Sequence, residues 1–434
     1  MYLFIKLFKF ILAWFAKSPV FYPHYTWVIV VVIVLANMVG SSIRMAFGVL
    51  INPIEINFNW DQGTITLAYA ISNVVTALFS PVAAWLSNRI GARKSMMVGT
   101  IILFIGILSI GYIRSPLEFY AYVGGLMGIA QAIILIPLIP SAMVWFRRHL
   151  GLGIGMIMGS WGLGPALATP LIGFLIGAFE WKSAFAILAF GTASIMVILI
   201  ALFRNRPSDM GIEAYGTLPS DKNIDKTKPD SELLTKFNGF MRKTSAYWNM
   251  SSIHFLGCVG HSVILVYIIP LAIQKNMSVL EASSLITLMS GTSVISRLVT
   301  PILCEKYGTK FVLSCFYFLQ GIPVIMLFGA SDPMMFYGFA LFFGVGLGGE
   351  SAGFPILMRQ YYGFAPSAAP HGTQMLWAGL GMALGGWVGG IFYDIYGNYN
   401  IAFIISILAS FAGMVSIFFL ESTNKLLIPK WEDS

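Results

Sequence analysis

The chain has 434 residues, of which 57% are hydrophobic and only 10% are charged, and its mean hydropathy is +0.80. A soluble domain carries roughly a quarter charged residues, so the composition excludes a soluble globular protein and predicts an integral membrane protein. The net charge of +8 could suit nucleic-acid binding, but the basic residues form short clusters between apolar runs, as in the loops of membrane proteins. We therefore expect a lipid bilayer, and no nucleic acid, as partner.

An apolar lead-in at 1–25 precedes the first long apolar run, and its lysines lie within it rather than ahead of it. A signal peptide would place its positive charge first and would end in small residues. We therefore predict a cytosolic or interfacial segment here, followed by a first membrane span that begins at residue 26.

Twelve runs of about 20 or more mostly apolar residues follow, which is the length that a membrane-crossing helix needs. They lie at 26–50, 63–87, 95–113, 117–145, 151–177, 182–203, 248–273, 280–303, 310–329, 333–358, 367–393 and 400–420. These runs predict an all-α integral membrane fold with twelve transmembrane helices. An even number of spans places both termini on the same side of the membrane.

Lysine and arginine residues set the predicted orientation, because cytosolic loops are enriched in them. With both termini inside, the cytosolic segments hold 21 of the 26 basic residues and the outer loops hold three. The remaining two, Arg44 and Arg297, lie within spans. The sequence therefore predicts a multi-pass protein of the cell (inner) membrane with both termini in the cytoplasm.

One long polar segment separates the first six spans from the last six. It contains three prolines and alternating acidic and basic residues, which is a composition typical of a linker. We predict an N-terminal six-helix bundle at 26–203, a cytosolic linker at 204–246, a C-terminal six-helix bundle at 247–421 and a cytosolic tail at 422–434.

The two halves resemble each other at matching positions. LSNRIGARK at 86–94 follows the second span and LCEKYGTK at 303–310 follows the eighth, with Gly91 lying 217 residues before Gly308. WKSAF and YNIAF open the sixth and twelfth spans at almost the same offset. We infer a duplicated six-helix unit, an arrangement found in transporters whose substrate site lies between the halves.

The loop after the second span resembles the signature loop of the major facilitator superfamily, a Gly/Asp-x-x-Gly-Arg-Lys pattern. Asn88 stands where the family usually has an aspartate, whereas Glu305 keeps the acid in the second copy. The resemblance covers the whole chain and implies two pseudo-symmetric six-helix bundles that work by alternating access. It also implies a gating role for the two loops, through Asn88, Arg89, Gly91, Arg93, Glu305 and Gly308.

Segments at 145–176, 342–363 and 389–403 resemble the monocarboxylate and oxalate–formate branch of that superfamily. In that branch an arginine on the eighth span, eight positions before the loop acid, is implicated in holding a carboxylate, and Arg297 has this spacing. The eleventh span lacks the lysine of the oxalate carriers, so the resemblance implies a monocarboxylate rather than a dicarboxylate. Ser293 replaces the aspartate that eukaryotic monocarboxylate carriers have one turn before the arginine, so their coupling scheme does not transfer.

Three ionisable residues reach similar predicted depths inside the spans. Arg297, Glu350 and Arg44 lie roughly 12–14 Å from a span end at about 1.5 Å per residue, and such residues face a cavity rather than lipid. We expect Arg297 to hold a carboxylate with its planar fork of donors, and Glu350 to carry the coupling proton. The alternatives are a structural ion pair between Arg297 and Glu350, and an Arg44 side chain that reaches the headgroups or pairs with a helix end.

Other residues within the spans are candidates for lining the cavity. They are Tyr69, Asn73, Gln131, Trp161, Tyr267, Gln374 and Trp377, together with Arg44 as a second cation for the substrate. His254 and His261 lie seven residues apart on one helix face, so they are candidates for a proton relay, with simple packing as the alternative. Four glycines between 344 and 349 predict close helix packing.

The sequence therefore predicts a secondary active transporter of a small organic anion, a monocarboxylate, in symport with protons, that functions as a monomer. A drug or metabolite–proton antiporter working in efflux is the alternative, since GLGIGMIMGSWGLGP at 151–165 is similar to the span-five glycine series of those carriers. A membrane-embedded enzyme or a nutrient sensor is a third class.

Other chemistry is not indicated by the sequence. The chain has no GxxxxGK[ST] motif, no His/Cys cluster with metal-ligand spacing and no Ser-His-Asp set in a soluble segment. We therefore expect no catalytic residues, no cofactor and no metal. The three cysteines fall in apolar runs and predict buried thiols without a disulfide.

Overall fold

The computed structural model describes residues 24–146, 150–217, 231–362 and 368–422. Most of the predicted lead-in, the middle of the predicted linker and nearly all of the predicted tail lie outside the described residues. Within them the chain is almost entirely helical, which confirms the predicted fold class.

The helices follow one another with short connections. They are α1 Tyr25–Met45, α2 Gly48–Phe58, α3 Gln62–Ile90, α4 Ala92–Ile110, α5 Pro116–Phe119, α6 Met127–Leu135, α7 Leu138–Trp145, α8 Leu150–Ala178, α9 Trp181–Leu202, α10 Ser231–Lys243, α11 Ser245–Gln274, α12 Val279–Tyr307, α13 Thr309–Gly321, α14 Pro333–Tyr362, α15 Ala368–Tyr396 and α16 Asn400–Phe418. A π-helical turn, Tyr120–Leu126, joins α5 to α6, and a 3₁₀ helix, Ile322–Phe328, extends α13.

Eleven helical segments of the described chain are long and apolar enough to cross a membrane, and they correspond to the second to twelfth predicted spans. The first predicted span is α1, which a turn at 46–47 separates from α2. This helix has 21 residues, and Arg44 lies in its last turn.

The two loops that mark the repeat have the same backbone geometry. Gly91 has φ +86° and Gly308 has φ +85°, a region that favours glycine because a Cβ atom would be strained there. Each glycine ends one helix and precedes the next, and its N–H donates to Ser87 at 2.9 Å or to Cys304 at 3.0 Å. The structure thus repeats at the offset that the sequence indicates.

Glycines on α14 bring its backbone against two neighbouring helices. A Cβ atom at Gly344 or Gly348 would collide with α12, and the obstacle at Gly348 is the main chain of Ser293. A Cβ atom at Gly346 would lie 2.6 Å from the main-chain nitrogen of Gln320 on α13, and one at Gly349 would enter the Phe316 ring. The prediction of close packing is confirmed, and α12, α13 and α14 are held together through their backbones.

The halves meet mainly where α3 packs on α15 and α8 packs on α12. Small residues permit the first contact: a Cβ atom at Gly390 would lie 2.5 Å from Thr66 Oγ1, and one at Gly386 would collide with the Tyr69 ring. On the second contact, Thr287 donates to the main-chain oxygen of Ala166 at 2.8 Å. These two helix pairs position the residues of the candidate site.

Helix α10 lies within the predicted linker and packs against the C-terminal half. Phe237 and Met241 have no exposed surface and join the apolar cluster that includes Tyr247 and Met250 of α11. Its last turn carries Arg242 and Lys243, as the C-terminal end of a helix favours.

The cysteine prediction is correct for two residues and wrong for the third. Cys258 and Cys304 are buried free thiols, whereas Cys315 is a free thiol that is exposed on the surface of the protein. Phe311 and Phe318, one turn to either side of it, are also exposed. An apolar run predicts location in the bilayer, where one helix face meets lipid, and does not by itself predict burial inside the protein.

Candidate functional site

Arg297 lies on α12 at its contact with α8 of the other half. Its Nη1 atom donates to the main-chain oxygen of Met158 at 3.0 Å. Its Nε atom is inaccessible and has no partner among the described residues, although the side chain as a whole is partly exposed. No carboxylate of the described residues lies within ion-pair distance, so this guanidinium keeps donors available.

Arg44 lies inside the N-terminal half and is buried. Its Nη1 atom donates to Asn73 Oδ1 at 3.3 Å, and Asn73 in turn donates to the main-chain oxygen of Tyr69 at 2.9 Å. The Nε atom of Arg44 has no partner among the described residues. A cavity of about 10 Å³, room for about one water molecule, is lined by Arg44, Phe47, Tyr69, Ser72, Val123 and Met127.

Glu350 lies inside the C-terminal half, between α11 and α13. Its Oε2 atom is 3.3 Å from His261 Nδ1, and its Oε1 atom is 3.2 Å from the hydroxyl of Tyr317. Gly257 gives the carboxyl group room, because a Cβ atom there would collide with Oε1. Glu350, His261 and Tyr317 are 3%, 8% and 0% exposed, so the group is sealed from the surroundings in this conformation.

The three embedded ionisable residues do not contact one another in the described structure. Glu350 pairs with His261, Arg297 bonds to Met158, and Arg44 bonds to Asn73. The structural ion pair between Arg297 and Glu350, which the sequence left open, is therefore not present in this conformation.

Tyr69 contacts the C-terminal half, and Tyr267 lies beside that contact. The Tyr69 hydroxyl accepts from Ser262 of α11 at 3.5 Å, and the Tyr267 hydroxyl donates within the C-terminal half to the main-chain oxygen of Gly386. The Tyr69 ring also packs against the position of Gly386. The structure therefore brings Tyr69, Tyr267 and the Arg44–Asn73 pair into one region.

The remaining predicted residues lie elsewhere. Gln131 is fully buried, and neither of its amide atoms has a partner among the described residues. Gln374 donates to Ser251 at 3.3 Å, and the Trp377 ring lies 6.2 Å from that of Trp248. Trp161 is partly buried on α8, and the His254 ring packs on that of Phe354 at a tilt of 30°, with centroids 4.3 Å apart.

Each predicted gating loop bonds to the last helix of its own half or to the residues just after that helix. Arg93 donates from Nε to the main-chain oxygen of Ile200 at 2.9 Å, and Lys310, 217 residues later, donates to that of Leu420 at 2.7 Å. Arg89 lies over the Trp85 ring at 5.4 Å. Asn88 and Glu305 are exposed and make no side-chain hydrogen bond with the described residues.

A second contact joins the halves at the end of the bundle opposite the gating loops, and the sequence did not predict it. The distribution of basic residues predicts that this end faces away from the cytosol. Asp394, near the end of α15, accepts from the backbone N–H groups of Gln62 at 2.9 Å and Gly63 at 2.6 Å. These N–H groups open α3, where the helix dipole favours a negative charge. Gln62 also accepts from the Tyr399 hydroxyl at 2.6 Å and donates to Glu55 at 2.9 Å.

The described residues contain one group with metal-ligand types at close spacing. The ligand atoms of Cys258, His261 and Glu350 lie within 4.8 Å of one another. These are zinc-ligand types, but the two carboxyl oxygens of Glu350 already lie within hydrogen-bond distance of Tyr317 and His261. We therefore assign no metal to this group.

Tyr317 and Asp394 are the functional candidates that sequence reasoning missed. Tyr317 lies in an apolar run of α13, and only the fold brings it to Glu350. Asp394 is part of YDIYGNY at the end of a span, where an acid reads as an ordinary loop residue. A signal existed in principle for Gly257, since a glycine four residues before His261 on one helix face leaves space beside it.

The chain has relatives of similar length. Monocarboxylate transporter 12 of Homo sapiens is 20% identical over 420 residues, which cover 90% of this chain and 80% of that protein. The oxalate:formate antiporter of Oxalobacter formigenes is 23% identical over 394 residues, which cover 89% of each chain. Both names agree with the branch that the sequence segments resemble.

Two further comparisons concern the fold and the family of the chain. A crystal structure of a variant of the nucleoside transporter NupG superposes with a TM-score of 0.69 and 13% identity, over 93% of this chain and all of the other. The model of the Major Facilitator Superfamily matches residues 30–216 and 250–433. Since these ranges cover most of both halves, the chain belongs to the Major Facilitator Superfamily of membrane transporters.

Proposed function

We propose that this transporter moves a small organic anion, a monocarboxylate, together with protons by alternating access. The observation that carries the proposal is Arg297, a permanent cation within a membrane span that has no carboxylate partner among the described residues. Uncompensated charge is costly at that depth. A carboxylate that accepts two bonds from the guanidinium would offset this charge.

The location of Arg297 suits a substrate ligand. Its bond to Met158 joins the two halves, and substrates of this transporter plan bind where the halves meet. An anion that takes these donors would compete with the Met158 carbonyl. Arg44, with Asn73 and Tyr69 beside it, supplies a second cation and polar contacts from the N-terminal half.

Proton coupling is assigned to Glu350 and His261. Both are buried, and Glu350 Oε2 lies 3.3 Å from His261 Nδ1. His254 lies on the same helix face as His261, about two turns closer to the predicted cytosolic end, and would pass protons along that face. The names of two relatives, a monocarboxylate transporter and an oxalate:formate antiporter, support an anion as substrate.

Coupling between the two sites would run through the backbone. Gly348 packs on the main chain of Ser293, which lies one helical turn before Arg297, and Glu350 is two residues beyond Gly348. A change of protonation at Glu350 that shifts α14 would therefore shift α12 and the Arg297 donors with it. Such a path needs no direct contact between Arg297 and Glu350.

The remaining parts of the proposal concern orientation and assembly. The excess of basic residues on one face supports cytoplasmic termini in the cell (inner) membrane. A single chain contains both halves and all the proposed ligands, so a monomer is sufficient for the cycle.

Uptake into liposomes tests the proposal. Purified protein in liposomes with an inward proton gradient is expected to accumulate labelled lactate or pyruvate above the outside concentration, and a proton ionophore is expected to abolish the accumulation. Failure to take up or exchange any monocarboxylate of a panel would overturn the proposal. Proton-driven efflux of dyes by the same liposomes would favour the antiporter instead.

A further inference from the structure

The hydroxyl group of Tyr317 lies between two oxygen atoms. It is 2.8 Å from the main-chain oxygen of Ile253 and 3.2 Å from Glu350 Oε1. The side chain has no exposed surface, so water does not supply another partner in this conformation. A tyrosine hydroxyl carries one proton and can also accept.

The two contacts need two protons, because each joins a pair of oxygen atoms. The Ile253 carbonyl has no proton, and the contact at 2.8 Å has the length of a normal O–H···O hydrogen bond. The Tyr317 proton therefore belongs to that bond. The proton of the longer contact has to come from Glu350, whose carboxyl group then donates to the Tyr317 oxygen.

The groups around Glu350 are consistent with this arrangement. On α11, His261 Nδ1 can donate to Oε2, which acts as the carbonyl oxygen of the acid. The Cys258 thiol faces the same group from α11, and Arg297 of α12 carries a positive charge that by itself would favour the ionised carboxylate but makes no contact with it. The hydrogen bonds then run in one direction, from His261 through Glu350 and Tyr317 to the Ile253 carbonyl.

We propose that Tyr317 is a positioning residue that holds Glu350 in its protonated form in this conformation. When Glu350 releases its proton, the site loses one proton in total, and the Tyr317 hydroxyl turns from the Ile253 carbonyl to donate to the carboxylate. The hydroxyl thus has two positions, one for each state of Glu350. The use of this switch in transport rests on the proton coupling proposed above, whereas its chemistry does not.

Infrared spectroscopy of the protein in lipid bilayers tests the protonation directly and needs no substrate. At neutral pH, the wild-type protein is expected to have a C=O stretching band of a carboxylic acid that is absent in Glu350→Gln. In Tyr317→Phe that band is expected to move to higher frequency or to disappear, because the acid loses its acceptor. A wild-type spectrum without a Glu350 acid band, or a band that Tyr317→Phe leaves unchanged, would overturn the proposal.

The pH dependence of uptake separates positioning from a general structural role. In Tyr317→Phe the midpoint is expected to move by about one unit, a tenfold change in proton concentration, because Glu350 loses the hydroxyl group whose two positions distinguish its protonated and ionised states. Tyr361→Phe is the matched control, since Tyr361 is also buried and bonds to a main-chain oxygen, that of Glu421. An equal fall in uptake at every pH in Tyr317→Phe would overturn the positioning role.

Failure of the switch and failure of the proposed function give different results. A wild-type protein without proton-driven uptake contradicts the function, and the infrared bands still decide the state of Glu350. A normal uptake with no acid band contradicts the switch alone.

Discussion

Arg297 and Met158 meet across the two halves of the protein, where the guanidinium donates to the main-chain oxygen at 3.0 Å. A main-chain oxygen is a neutral acceptor and is weaker than a carboxylate, because charge-assisted hydrogen bonds are roughly twice as strong as neutral ones. The contact can therefore hold the arginine while the site is empty and can give way to an anion.

Arg297→Lys is expected to insert and fold normally but to lose uptake by about tenfold to a hundredfold, since hydrogen bonds to charged groups contribute about 1.5–3 kcal/mol each. Lysine keeps the charge but not the planar fork. Uptake kinetics in liposomes measure the effect, with Arg114→Lys in an exposed loop as the control. Wild-type uptake by both Arg297→Lys and Arg297→Ala would contradict the carboxylate ligand.

Glu350→Gln is expected to abolish net uptake driven by a pH gradient and to retain exchange of labelled for unlabelled substrate. The amide has the shape of the protonated acid and cannot release a proton on the other side. Two assays on the same liposomes distinguish the outcomes. Retained pH-driven uptake would contradict coupling at Glu350, and loss of both activities together with poor expression would indicate a structural role.

Asp394→Asn is expected to weaken the contact between α15 and the start of α3. The variant loses the negative charge that the helix N-terminus favours, a contribution of about 0.3–1 kcal/mol, and it also loses one charged acceptor, at about 1.5–3 kcal/mol. A Thr66→Cys reporter, in a background without the three native cysteines, should react about tenfold faster with an impermeant thiol reagent.

The control for this measurement is Glu55→Gln, which changes an acid on the same side that bonds to the Gln62 side chain rather than to the helix backbone. Its labelling rate should stay near that of the reporter alone. Equal labelling in all three proteins would mean that Asp394 does not hold this end closed.

Gly348→Ala is expected to force α14 away from Ser293 on α12, with a loss of stability of about 1–3 kcal/mol. Thermal unfolding in detergent measures it. Gly291→Ala is the matched control, because a Cβ atom there meets nothing within 4 Å and alanine is the better helix former by about 1 kcal/mol. If Gly348→Ala melted at the same temperature as the wild-type protein and Gly291→Ala, the close packing of α14 on α12 would be contradicted.

The fold was predictable because its signals are local. Span length, the clusters of basic residues and the paired loops at Gly91 and Gly308 each need only neighbouring residues to be read. Cys315 marks the limit of that reasoning: apolar neighbours indicate the bilayer, but the direction in which one helix face points depends on the packing of the other helices.

The candidate site was predictable in part. Arg297, Glu350 and Arg44 stood out because a charge inside an apolar run is rare. Their partners did not, because Met158, Tyr317 and the His261 ring reach them from other helices that only the fold brings near. Asp394 contacts Gln62 and Gly63, which lie 332 and 331 positions before it in the chain. No short sequence pattern encodes such a pairing.

The separation of Glu350 from Arg297 has a consequence for protein engineering. The carboxyl site is enclosed in the C-terminal half, whereas Ser72 and Met127 line the cavity beside Arg44 in the N-terminal half. Smaller residues at these two positions would enlarge the anion side and leave the Glu350 cluster intact. Under the proposed function, selectivity and energy source should therefore be separable traits, so that a library built around Arg44 changes the cargo and leaves the proposed proton site as it is.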